Sequence, residues 1–196
     1  MKKAIILALL LLCIVPVSAQ VWLGGELGFS FNEASNSHNG DDSSSSMQLY
    51  TFSPKVGYDF NDRFAVGLHI GFSYSFLSTY NTYKGESYES SYTSRTISLF
   101  PFVRYSFAEW GKVRFFVDGG VGYDYNYDGS NRYYPQRRYY AALKPGITYP
   151  LNDRFGLIAH LGDLSYGRKE KENSDSYNEF SFNLVDAFQL GFFVRL

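Results

Sequence analysis

The side chains best suited to chemistry fall on one face of a chain that alternates apolar and polar residues. They are Glu26, Lys55, Asp59, His69, Arg104, Arg114, Asp118, Asp124, Arg138, Lys144, His160 and Arg195. Acids and bases are mixed along this face, which suits mutual neutralisation in an enclosed space, where an unpaired charge is costly. His69 and His160 occupy matching places in two similar stretches, each followed two residues later by glycine, Gly71 and Gly162. Two imidazoles can bind metal or move protons. No thiol or carboxylate stands at ligand spacing, however, and the internal similarity alone accounts for the match. His38, Asp41 and Asp42 form a second candidate cation site, but Asn39-Gly40 and four serines around them read as a flexible acidic loop. A hydrolase acting on lipid would need a hydroxyl nucleophile, a histidine and an orienting carboxylate together. There is no G-x-S-x-G, and only His38 lies off the charged strand face. The sequence therefore predicts no catalytic residue, no metal and no cofactor.

The elements that position these residues repeat. Phe52–Tyr74, Leu99–Tyr125 and Leu143–Tyr166 each read as a period-two strand, a short polar break and a second period-two strand. Carried along the chain, this period predicts eight strands. They run at about Val21–Asn32, Gln48–Phe60, Phe64–Phe76, Tyr92–Phe107, Val113–Tyr127, Arg137–Leu151, Arg154–Ser165 and Glu179–Leu196. Asn61-Asp62, Ala108–Lys112 and Asn152-Asp153 join pairs at one end. The polar segments Glu33–Ser46, Leu77–Ser91, Asp128–Gln136 and Gly167–Asn178 read as long loops at the other. Asp163 interrupts the apolar phase, which predicts a bulge beside it. Asp186 falls on the apolar face, which predicts a bulge near Val185 or a position close to lipid headgroups. Pro54, Pro101 and Pro145 recur in the repeat, and each should break a ladder bond locally.

Residues 1–19 read as a signal peptide: Lys2 and Lys3, an apolar run from Ala4 to Val15, and Val17-Ser18-Ala19 as the cleavage site. A lipid anchor on Cys13 is disfavoured by the bulky Leu12 before it. Cleavage after Ala19 leaves residues 20–196 as one domain without cysteine, so no disulfide holds it. Losing Lys2 and Lys3 takes the 18 basic residues to 16 against 19 acidic ones, a balance that gives no reason for nucleic-acid binding. After residue 19 no apolar run approaches the roughly 20 residues of a spanning helix. A spanning β-barrel needs only alternate residues to face lipid. A soluble barrel would instead carry many Lys and Glu on its polar face, whereas Gly, Ser, Ala and Thr dominate here. Aromatics cluster at both strand ends: Tyr74, Phe76, Tyr92, Tyr123, Tyr125 and Tyr127 at one, Tyr58, Phe60, Tyr105, Phe107, Trp110 and Tyr149 at the other. The expected fold is all-β, an eight-stranded antiparallel up-and-down transmembrane β-barrel.

The P-x-[VI]-x-Y before a turn and R-F-x-[VL] after it, with the signal peptide and eight strands, resemble the outer-membrane β-barrel domain family. That family includes OmpA-like transmembrane domains and small OmpX-type barrels, and this version is similar to those of Bacteroidota. The resemblance covers essentially residues 20–196 and implies architecture more than activity. It implies an integral outer-membrane protein with extracellular loops and both termini periplasmic. Its partners would be outer-membrane lipids, lipopolysaccharide and the assembly machinery, although Leu196 replaces the usual terminal aromatic. No peptidoglycan-binding module is expected, and a monomer is expected. An eight-stranded lumen is just wide enough for its own side chains, so the charged face is expected to fill it as a structural network. The expected role is non-enzymatic, in envelope integrity or in surface interaction through the loops. A narrow channel for ions or small solutes is the alternative, and a lipid-modifying enzyme a weaker one. Tyr80, Tyr83, Tyr88, Arg132, Tyr133, Tyr134 and Arg137, with Tyr139 and Tyr140, have the composition of an adaptable contact surface. Arg132, Arg137 and Arg138 also suit lipopolysaccharide phosphates. The preferred reading of these residues is anchoring at the membrane rim.

Overall fold

Eight antiparallel strands close into a ring in chain order, β1 pairing with both β2 and β8. The computed structural model describes residues 20–38, 41–83, 86–128, 135–171 and 176–196. The strands are β1 (Gln20–His38), β2 (Asp41–Asp59), β3 (Phe64–Tyr83), β4 (Glu86–Trp110), β5 (Val113–Asp128), β6 (Gln136–Pro150), β7 (Phe155–Lys171) and β8 (Tyr177–Arg195). The signal-peptide reading of residues 1–19 lies outside the described residues.

Period two dictates the two faces. Leu27, Phe29, Phe52, Val103, Val121, Phe180 and Phe192 point outward and are at least half exposed, while Phe100 and Phe116 inside are fully buried. An apolar band of this extent is not stable against water. It matches the lipid-facing wall of a spanning barrel, and the strands, from 15 to 25 residues, exceed the 9–11 that a tilted crossing needs.

The turns repeat as closely as the sequence does. At the β2–β3 turn Asn61 Oδ1 accepts from the backbone N–H of Arg63 and Phe64, both at 2.9 Å. At the β6–β7 turn Asn152 Oδ1 accepts from Arg154 and Phe155 at 2.9 and 2.8 Å. Both are Asx-type turns, which tie off donors at the end of the ladder. The β4–β5 connection is shorter than the expected Ala108–Lys112. Strand continues to Trp110, and Gly111, at φ 60°, turns the chain with Lys112.

The long polar segments at the other end are mostly strand, which corrects the reading of Glu33–Ser46, Leu77–Ser91 and Gly167–Asn178 as loops. β1 pairs with β2 as far as His38↔Asp41, and β3 with β4 as far as Tyr83↔Glu86. Polar composition does not stop an antiparallel ladder. Once two strands are aligned, Ser, Thr and Tyr continue to pair on a two-sided polar ribbon. The first four strands thus project as paired hairpins beyond the aromatic band.

Each repeat proline leaves a gap on one flank only. Pairing of β2 with β3 skips Ser53 and Pro54, pairing of β4 with β5 skips Phe100 and Pro101, and pairing of β6 with β7 skips Lys144 and Pro145. On the other flank Gly25↔Pro54, Leu68↔Pro101 and Val117↔Pro145 remain in register. The missing N–H explains the side that is lost. The bulge expected near Asp163 is present. The β7 ladders are irregular between His160 and Leu164 on one side and between His160 and Gly162 on the other, where Gly162 has φ 139°. One slip in alternation lets both His160 and Ser165 be buried. Facing it, β8 passes from Gln189 to Leu184 while β7 advances two residues, so β8 bulges over 185–188. The side chain of Asp186 itself lies outside the described residues.

Candidate functional site in the barrel interior

Strand register brings the predicted charges together. Glu26 on β1 lies opposite Ser53 and Lys55 opposite His69, while Asp118 on β5 sits between Arg104 and Lys144. Lys55 Nζ is 2.8 Å from Glu26 Oε1. His160 lies between two acids, its Nδ1 2.9 Å from Glu26 Oε1 and its Nε2 3.0 Å from Asp118 Oδ2. Arg104 then donates to Asp118 through Nε at 2.7 Å and Nη2 at 2.8 Å. Two carboxylates, two cations and one imidazole thus form a continuous chain across the interior. Glu26 and Asp118 are each 1% exposed, so the pairing is what makes their burial tolerable.

The remaining predicted residues flank this chain. Toward the turn end Asp59 Oδ1 accepts from Trp22 Nε1 at 2.9 Å, and Arg195 Nε is 3.6 Å from Asp59 Oδ2. Arg114 reaches the rim, where it donates to Glu109 at 2.6 Å. Toward the long-hairpin end Arg138 lies 3.5 Å from Asp124 and donates to Ser165 Oγ at 2.8 Å. It also faces Glu179 at 3.9 Å, and Lys169 pairs with that same acid. Lys144 Nζ lies 4.3 Å over the Phe100 ring. His69 is buried against the edge of Phe100, and its Nε2 has no hydrogen-bond partner among the described residues. No serine or threonine hydroxyl bonds either strand histidine among the described residues, and no metal-holding cluster of His, Cys, Asp or Glu occurs there.

Sequence reasoning missed half of the interior. Trp22, Phe100, Phe102, Phe116 and Phe193 form a buried cluster with Tyr140 packed against it. Their parity already placed them inside, but their residue type suggested the lipid face. The glycines on the same face make room for them. A methyl group on Gly57 would meet the Trp22 ring at 2.1 Å, one on Gly67 the Phe102 ring at 2.5 Å, and one on Gly146 the Phe116 ring at 2.4 Å. Large and small residues alternate around the ring, which fills a narrow barrel. The Arg104 guanidinium links the two halves of the interior, lying 3.8 Å over Phe116 and 5.2 Å from the Trp22 ring. The interior is therefore an ion cluster set among aromatic rings, and the rings are what the expected network of charged side chains did not include.

The predicted contact residues separate. Tyr80 is exposed on β3, where its hydroxyl donates to Ser87 Oγ at 2.7 Å, and Tyr88 is exposed on β4. Arg137 and Tyr139 point outward from β6, whereas Arg138 and Tyr140 point inward, which removes both from the expected contact surface. The side chains of Tyr83, His38, Asp41 and Asp42, and all of Arg132, Tyr133 and Tyr134, lie outside the described residues.

The fold is shared with solved barrels. Neisserial surface protein A aligns with TM-score 0.50 at 12% identity, covering 91% of this chain and 99% of that one. The outer membrane protein OprG from Pseudomonas aeruginosa aligns with TM-score 0.53 at 12% identity, covering 91% and 95%. No curated protein matches the sequence. The profile described as outer membrane protein beta-barrel domain matches residues 18–196. The chain belongs to that family and is an integral β-barrel protein of the bacterial outer membrane.

Proposed function

We propose that this protein is a non-enzymatic outer-membrane barrel whose lumen is closed by its own side chains and whose projecting hairpins serve at the cell surface. The observation that carries this reading is the chain Lys55–Glu26–His160–Asp118–Arg104, wedged against Phe116 and Trp22. A conducting path would have to separate paired charges or turn rings out of glycine-lined slots, and both are costly. The cavity at the turn end supports the same reading. It measures about 30 Å³ and is lined by Trp22, Asp59, Arg104 and Arg195. That is room for roughly one water.

In this reading residues 1–19 are cleaved after Ala19 and the monomer inserts with both ends and the short turns in the periplasm. The hairpins β1–β2 and β3–β4 then project outside, contributing to envelope integrity or to surface interaction. Two assays test the parts separately. Proteoliposomes holding refolded protein should retain a small sugar as well as protein-free vesicles do, and rapid efflux would overturn closure. In whole cells, Ser43→Cys should react with a membrane-impermeant maleimide and Asp153→Cys should not. The reverse pattern would overturn the orientation.

A further inference from the structure

The inward charges of the strands pair off with one mismatch. Lys55 lies 2.8 Å from Glu26, Arg104 2.7 Å from Asp118, Arg138 3.5 Å from Asp124 and Arg195 3.6 Å from Asp59, while Lys169 pairs with Glu179. Among the described residues of this face, Lys144 is the cation left without an acid and Asp163 the acid left without a cation. Asp163 accepts only from the Asn183 amide, at 3.3 Å.

The two unmatched residues are cross-strand neighbours whose ladder is missing. β6 and β7 pair as far as Leu143↔Leu164, so Lys144 and Asp163 would meet next, but pairing resumes only at Gly146↔His160. Pro145 has no N–H to offer there. Lys144 reaches instead toward β4, where its Nζ lies 4.3 Å over the Phe100 ring. His69 packs on the edge of the same ring, with its unpartnered Nε2 beside Gly71. Lys144 and Asp163 are half-buried, whereas Glu26 and Asp118 are fully buried, so solvent reaches the mismatch and not the ion chain.

An ammonium and a carboxylate enclosed without counter-charges are costly. A bound anion would satisfy Lys144 and repel Asp163, and a bound cation would do the reverse. A molecule that carries both charges satisfies both residues. We propose that Lys144 and Asp163 bind a small zwitterion of the amino-acid class, its carboxylate on Lys144 beside His69 and its ammonium on Asp163. The site lies on the long-hairpin side of the ion chain and needs no passage through the barrel. It therefore depends neither on closure of the lumen nor on the orientation proposed above.

Saturation-transfer NMR titrations of the refolded full chain in detergent test it, with β-alanine as the zwitterion and propionate and ethylamine as its single-charge counterparts. The wild-type protein should bind β-alanine, and each single-charge probe about tenfold more weakly, the loss expected for one charge-assisted hydrogen-bonding group. Lys144→Gln and Asp163→Asn should each weaken β-alanine about tenfold. Arg137→Gln, on the outward face, should bind it as the wild type does. Absence of β-alanine binding, or equal binding of propionate or ethylamine, overturns the zwitterion site. Unchanged binding in Lys144→Gln or Asp163→Asn overturns the assignment of these residues. The comparison of the three probes uses only wild-type protein, so it decides even if a variant refolds poorly.

Discussion

Arg104 and Asp118 face each other across the β4–β5 register and meet through two parallel hydrogen bonds, Nε to Oδ1 at 2.7 Å and Nη2 to Oδ2 at 2.8 Å. Asp118 also receives His160, so this carboxylate joins three strands. Replacing it with asparagine keeps the shape but strands the Arg104 charge inside the ring. Asp118→Asn should destabilise the barrel by about 3–5 kcal/mol, read as a lower midpoint of urea unfolding. Arg104→Met with Asp118→Leu removes both charges and should cost less than the single change. A double variant at least as unstable as the single one would show that the pair is not the source of the loss.

Two glycines should respond to the same substitution with losses of very different size. A methyl group on Gly120 would lie 2.2 Å from the Pro101 carbonyl oxygen, a backbone atom that cannot swing aside. Gly120→Ala should therefore abolish or sharply reduce the yield of folded, heat-modifiable protein. Gly111 has nothing within 4 Å and only its φ of 60° to protect. Gly111→Ala should cost about 1 kcal/mol, and Gly111→Asn less. Similar folding of Gly120→Ala and wild type would mean that the β4–β5 wall is looser than described.

The asparagines at the turns act as paired caps. Asn61→Ala and Asn152→Ala each remove an acceptor shared by two backbone donors. Each should lower unfolding stability by about 1–2 kcal/mol, two exposed hydrogen bonds' worth. The distant sites should add. Asn61→Asp keeps an acceptor in place and should be nearly neutral. A full loss in the aspartate variant would argue against the capping role.

The projecting hairpins should be dispensable for folding. The β1–β8 pairs run only from Trp22↔Arg195 to Gly28↔Gln189, so ring closure lies well below residues 34–45. Replacing 34–45 with Asn-Gly, a favoured two-residue hairpin turn, should leave heat-modifiable mobility intact. Failure to fold would mean that the hairpin nucleates the sheet.

The strand count, pairing order and proline gaps were legible because period two and the missing proline N–H are local properties. Residues such as Val66, Leu68 and Ile70 state their face without reference to the rest of the chain. The inward charges were legible for the same reason: Glu26, Lys55, Asp118 and His160 sit on the minority face. Their partners were not, since Glu26 and His160 are 134 residues apart and meet only through ring closure. The aromatic half of the interior was hidden by residue type. Trp22 and Phe102 have inward parity, but only the facing Gly57 and Gly67 show that a ring fits there. The hairpin extensions were hidden because Ser-rich ribbon and Ser-rich loop have the same composition.

Closure of the lumen is the central claim, and single-channel recording in planar bilayers tests it most directly. Refolded wild-type protein at neutral pH should give a silent baseline at protein loads where a known porin gives steps. Reproducible, discrete conductance steps from the wild-type chain would contradict the account.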